Sequence, residues 1–190
     1  MKKRMGLSLL SAALLFTTGC LVRSVQPWLS DETRVQEPSL IGTWHNTNGA
    51  SVAFFTGTPE EYHILSVDDG KDVSRFTATL HRLDDTLLLM VGPEDPDNLN
   101  GYALLPGHLL LQAVLDGDSL KLHGIDLESF ADRAAKAPLA LLPGGSENDG
   151  YVLTGTSADA EAFVRAQLAD PEFFDEKPLY SFQKLPAATD

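Results

Sequence analysis

The sequence predicts a mainly β chain that closes into an antiparallel barrel and carries two short helices. Three observations point that way. From Leu40 onward, short apolar or alternating runs recur, each bounded by Gly, Pro, Asn or Asp. Only two stretches have the 3.6-residue spacing of an amphipathic helix. Cys20 is the only cysteine, so no disulfide framework holds the chain and the fold must rest on its hydrophobic core. Many short strands at close intervals form a sheet that closes into a barrel or folds into a sandwich.

The elements follow in order. Leu40 to Asn46 is a strand ended by Thr47-Asn48-Gly49, and Ser51 to Phe55 is a second, ended by Thr56-Gly57-Thr58-Pro59. Tyr62 to Val67 leads into Asp68-Asp69-Gly70-Lys71. Val73 to His81 alternates, with Ser74, Phe76, Ala78 and Leu80 forming its more apolar face. After Asp84-Asp85, Thr86 to Val91 is almost wholly apolar and suits a buried strand. Beyond the loop Gly92 to Gly101 come Tyr102 to Leu105 and His108 to Leu115. Asp116-Gly117-Asp118 is a strong hairpin signal before Ser119 to Ile125. Asp126 can cap a helix bearing Leu127, Phe130, Ala131 and Ala134 on one face, ended by Pro138. Tyr151 to Thr154 is a short strand. Thr156 or Ser157 can cap a second helix lined by Ala160, Phe163, Val164 and Leu168 and stopped by Asp170-Pro171. Leu179 to Leu185 closes the domain.

The N-terminus has a different character. Lys2, Lys3 and Arg4 precede an apolar stretch, Leu7 to Phe16, which has the length of a signal segment rather than of a bilayer span. Thr17-Thr18-Gly19-Cys20 resembles the lipobox of bacterial lipoproteins, with Thr17 where Leu is usual. That resemblance implies removal of residues 1–19 and lipid on the sulfur of Cys20, so that the membrane becomes a partner through the anchor. Read without the lipobox, the same segment is an ordinary secretory signal or an uncleaved anchor. Leu21, where an Asp would favour inner-membrane retention, implies the outer membrane, facing the periplasm or the exterior.

Residues 20–39 read as the lipidated N-terminus and a tether, 40–186 as a single domain and 187–190 as a tail. The tether contains Pro27 and Pro38, lacks periodicity and would reach roughly 25 Å if flexible. Within it, Trp28 and Leu29 either dock on the domain or sit at the bilayer interface. Three of the 14 basic residues lie in the signal, leaving 11 against 27 acidic residues, a net charge of −16 for the remainder. Such a charge argues against nucleic acid as a partner and against peripheral binding to anionic headgroups, so acyl chains must supply the anchoring.

Leu40-Ile41-Gly42-Thr43-Trp44 resembles the G-x-W opening of lipocalins and related small barrels, in which Trp packs across the closed end and Gly permits close backbone approach. The resemblance implies a lipocalin-like barrel with Gly42 and Trp44 as its signature. In that pattern an Arg on the last strand stacks on the Trp; here the last strand offers Lys184. The chain also resembles a loose group of small bacterial lipoproteins. These share a G-T-W start, a meander with an Asp-Gly-Asp hairpin, and a capped helix before the closing strand.

Chemistry-bearing patterns are few. His45, His63, His81, His108 and His123 all fall in predicted strands without the close spacing of a metal site. Glu94 to Gly101 is oxygen-rich but departs from the calcium-loop template at its fifth and sixth positions. Ser146 has no assignable base, Cys20 is committed to lipid, and Asp68-Asp69 and Asp84-Asp85 are turn residues. No catalytic residue, metal or cofactor is therefore assigned. The expectation is a lipid-anchored cell-envelope protein without enzymatic activity. A cavity in the barrel, walled by one face of Phe54, Ile64, Phe76, Leu88, Met90, Leu110 and Val114, would hold a small apolar molecule or lipid. The same residues would also make an ordinary packed core. The alternative is a structural or interaction module with a protein partner, accessory to an outer-membrane or periplasmic assembly.

Overall fold

The structure is a computed structural model that describes residues 21–49, 51–58, 61–68, 72–94, 107–143 and 150–186. Its strands in chain order are β1 (Val22–Ser24), β2 (Gly42–Asn46), β3 (Val52–Thr58), β4 (Glu61–Asp68), β5 (Asp72–Leu83), β6 (Thr86–Pro93), β7 (His108–Asp116) and β8 (Ser119–His123). Helix α1 (Leu127–Ala134), strands β9 (Leu141–Pro143) and β10 (Tyr151–Leu153), helix α2 (Ser157–Gln167) and β11 (Tyr180–Lys184) complete the order. Eight strands close into an antiparallel barrel in the order β2-β3-β4-β5-β6-β7-β8-β11. Pairing of Lys184 with Trp44 shuts the ring on one side, and pairing of Leu89 with Leu111 joins β6 to β7. The chain is thus mainly β, with a lipocalin-like barrel and two short helices.

Each helix starts where a short polar side chain satisfies its free amides. The Asp126 carboxylate accepts from the Ser129 amide at 3.0 Å, and Thr156 Oγ1 accepts from the Asp159 amide at 3.2 Å. The hairpin at Gly117 is tight because that residue adopts a φ of 55°, and Asp116 pairs with Ser119 across it.

Two apolar cores share the barrel wall. Inward side chains such as Trp44, Phe55, Tyr62, Leu80, Leu89 and Leu120 fill the lumen. Outward side chains of the same wall, Leu83, Leu88, Met90 and Leu110, meet Phe130, Phe163, Val164 and Phe173 in an outer core beneath the helices. Leu87 to Val91 is apolar throughout because this part of β6 packs against both cores. Within the outer core, Phe163 meets Phe130 and Phe173 edge-on at 5.8 and 5.9 Å between centroids.

The expectation of a tether over residues 20–39 is corrected for residues 21–39, which lie among the described residues. Val22–Ser24 pairs in parallel with β10 and antiparallel with the start of β7. Trp28 and Leu29 are 0% and 1% exposed, so Trp28 docks on the domain. Its indole N–H donates to the His108 carbonyl at 2.9 Å. The chain then makes 3-10 turns at Asp31–Thr33 and Pro38–Leu40, while the Val35 amide donates to the Leu80 carbonyl at 2.9 Å. This strap carries no periodicity because its apolar residues enter separate sites one at a time, rather than lying on one face of a regular element. Strand β9 is likewise absent from the sequence reading. At three residues, ending in Pro143, it is too short for alternation to register.

Candidate functional site

The floor of the barrel is built around Gly42, Trp44 and Lys184. Trp44 and Lys184 face each other across the β2–β11 pair, so both side chains lie on the same face of the sheet. Lys184 Nζ stands 5.3 Å from the Trp44 ring centroid and donates to the Ser39 carbonyl. The indole N–H donates to the Leu40 carbonyl at 2.8 Å, and Phe55 meets the ring edge-on at 6.5 Å. Gly42 has a φ of 146°, and a Cβ there would lie 2.7 Å from Lys184 Cε. Glycine therefore leaves room for the lysine stem. Lys184 sets an ammonium over the indole face without the planar fork of an arginine.

Above this floor, apolar side chains among the described residues turn into the lumen. Trp44, Tyr62 and Leu120 are fully buried, while Leu80, Leu89 and Phe55 are within 2% of it. Tyr62 reaches outward through its hydroxyl, which donates to the Glu37 carbonyl at 3.1 Å and accepts from the Glu37 amide at 3.0 Å. Burial raises its pKa.

The seven residues expected to wall a cavity do not share one face. Ile64 and Phe76 belong to the lumen cluster. Leu88, Met90 and Leu110 point the other way, into the outer core. Phe54 alternates with inward-facing Ala53 and Phe55 and so points outward, while Val114 is 44% exposed. Consecutive apolar residues on a strand buried from both sides give no indication of which parity faces inward.

His81 lies at the junction of barrel and strap. It is fully buried, with Nδ1 2.8 Å from Thr33 Oγ1 and Nε2 2.8 Å from Thr79 Oγ1. The Thr33 hydroxyl donates to the Ser30 carbonyl at 2.9 Å, so it accepts from His81 Nδ1–H. Nε2 is then the acceptor for the Thr79 hydroxyl. Burial, aided by the nearby Arg34 guanidinium, lowers the imidazole pKa to about 4, keeping it neutral. The alternation of Val73, Arg75, Thr77, Thr79 and His81 reads as a solvent face, and nothing local in the sequence indicates that a distant strap covers part of it.

The other histidines stand apart. His45 is exposed, His63 lies 3.3 Å from Glu94 Oε1, and burial lowers the His108 pKa. His123 Nδ1 is 2.8 Å from the Asp175 carbonyl. Among the described residues no three His, Cys, Asp or Glu side chains converge as a metal site would require. Cys20, Ser146 and most of the loop from Glu94 to Gly101 lie outside the described residues. Two surface depressions, of about 430 and 420 Å³, lie outside the barrel. One lies at the start of α2 beside Gln26 and Thr154, the other between α1 and α2 beside Arg133 and Phe163, and both include Pro138 and Asp159.

Five apolar side chains of β3, β4 and β5, those of Val52, Phe54, Leu65, Val67 and Val73, belong to neither core. Val52 pairs with Val67, Val67 with Val73, and Phe54 with Leu65, all on the outer face of the wall. Val73 is 54% exposed and the other four are partly exposed. No family model, curated protein or solved structure matches the chain.

Proposed function

We propose that this chain is a lipid-anchored protein of the bacterial cell envelope, without catalytic activity, whose barrel is a scaffold for contact with a protein partner. The observation that carries this reading is the distribution of apolar side chains. They bury the described part of the lumen near its floor, where a carried ligand would sit, and they also form a partly exposed group at Val52, Phe54, Leu65, Val67 and Val73 on the outer wall. Cross-strand apolar neighbours on an outer face suit burial against a second protein. The lipobox at Thr17 to Cys20 supports the anchor, and Leu21 supports delivery to the outer membrane.

The test is a chemical crosslink and pull-down of the acylated protein from detergent-solubilised envelopes, run beside Phe54→Glu and Val67→Glu. Recovery of one stoichiometric partner, lost in both variants while each stays folded by circular dichroism, supports the module. Native mass spectrometry of the same preparation tests the carrier alternative. A reproducible adduct with the mass of a fatty acid or lipid, released on unfolding and distinct from the covalent anchor, would overturn the scaffold reading.

A further inference from the structure

We propose that the flank formed by β1, β10 and β9 lies against the phospholipid bilayer, with Leu21, Val152 and Leu142 turned toward the lipid. This inference rests on the anchored reading above and gives the anchored domain an orientation. Its starting point is the absence of slack between the proposed acylation site and the fold. Val22 is paired with Tyr151, and a Cβ on Gly150, whose φ is 72°, would collide with the Leu21 backbone. Leu21 is therefore pressed onto the start of β10. Cys20 precedes it by one Cα–Cα step, about 3.8 Å. A domain joined this closely cannot stand clear of the headgroups.

The register defines which surface then meets the membrane. Val22, Tyr151 and Pro143 are neighbours across the three strands at the end beside Leu21, followed by Arg23, Val152 and Leu142 one residue on. Val22 and Leu153 enter the outer core. Alternation turns Leu21, Arg23, Val152 and Leu142 to the opposite face. Leu142 is 54% exposed, while Leu21, Arg23 and Val152 are partly exposed. The apolar row of Leu21, Val152 and Leu142 suits the boundary between headgroups and acyl chains, where apolar side chains are buried by lipid. The partner is taken to be the bilayer because the lipid-bearing residue adjoins the row.

The experiment uses the full chain, expressed with its signal in a bacterial host and reconstituted in phosphatidylcholine vesicles with brominated acyl chains. A fluorophore is placed on a single introduced cysteine by Leu142→Cys or by Thr56→Cys. Thr56 is exposed on β3, four strands from β7 in either direction around the barrel. Pro143→Cys, also at an exposed position, repeats the measurement should the first variant misfold. Intact mass reports whether Cys20 is acylated. For acylated protein the label at 142 should lose about half its emission, as befits a site within ~5–10 Å of the acyl boundary, while the label at 56 keeps its own. Acylated protein with both labels unquenched would overturn the orientation and leave the anchor standing. A chain with no acyl mass and no vesicle association would overturn the anchored reading and this one together.

Discussion

Lys184 lies over Trp44, joining the last strand of the barrel to the first at the point where the ring closes. The contact combines a cation over an indole face with a hydrogen bond from the same ammonium to the Ser39 carbonyl, so it also holds the second 3-10 turn of the strap against the floor. Lys184→Ala removes both and should lower unfolding stability by about 1 kcal/mol, the usual size of a cation–π contact at a partly exposed site. Lys184→Arg restores the charge with a planar group that stacks on the ring and should recover most of the loss. Urea unfolding of the three proteins measures this. Equal stability of Lys184→Ala and the unmodified chain would show that the contact contributes nothing.

That pairing was legible in outline. Trp44 falls on a strand that the sequence predicts as the first of the barrel and Lys184 on the last, where it matches the arginine of the G-x-W pattern only incompletely; that the ammonium lies over the indole is visible only in the structure. Asp126 and Thr156 cap the two helices because short oxygen-bearing side chains before an amphipathic run leave few other roles. The strap was not legible. Val22, Trp28, Leu29, Val35 and Leu40 are spaced by the sites that receive them on β1's neighbours, β5 and the floor, and those sites are distant in sequence. The inward parity of β6 was hidden for a related reason, since every position from Leu87 to Val91 is apolar. The half-buried outer wall of β3 to β5 was hidden too, because apolar residues on adjacent strands become a patch only once register is known.

His81 should make stability depend on pH in a defined window. Its pKa is near 6.5 when unfolded and about 4 when folded, so the unfolded chain binds more protons between these values. Its contribution is fully present above pH 6.5, declines as pH falls toward 4, and is lost below that. The full difference is on the order of 3 kcal/mol. His108 is lowered in the same direction by burial and adds to the slope. Glu161 acts at lower pH: burial alone would raise its carboxyl, but hydrogen bonds from Ser30 and Arg165 hold it below its ordinary value. Urea midpoints from pH 7.5 to 4.5 should therefore fall steeply for the unmodified chain and less so for His81→Gln. Parallel slopes for the two proteins would contradict a buried neutral His81.

Trp28 should act as the main fastening of the strap. It is fully buried in the outer core, its indole donates to the His108 carbonyl, and its amide points at Met90 Sδ from 3.3 Å. Trp28→Ala should cost about 3–5 kcal/mol, as loss of a large core side chain commonly does. Amide exchange would localise the effect. Protection should fall first at Val35 and Thr33, whose amides donate to Leu80 and Ser30. A uniform loss of protection across the barrel, with none specific to the strap, would mean that strap and barrel unfold as one unit.

The two-core arrangement makes a sharper prediction from residues of similar chemistry. Leu88 and Val114 were both expected to wall one cavity, yet Leu88 is fully buried in the outer core and Val114 is 44% exposed on the outside of β7. Leu88→Ala should destabilise by about 2–5 kcal/mol, because the methyl groups leave a space enclosed by barrel and helices. Val114→Ala should stay within about 0.5 kcal/mol of the unmodified chain, since solvent already reaches the side chain. Ile64→Ala then separates lumen from outer layer. At 8% exposure it should cost more than Val114→Ala, and near-UV circular dichroism should report loosening around Tyr62 and Trp44 in the lumen cluster. Comparable losses at positions 88 and 114 would mean that Val114 is packed by the chain itself rather than exposed on the outside of β7. A negligible loss at 88 would mean that the helices do not pack on β6.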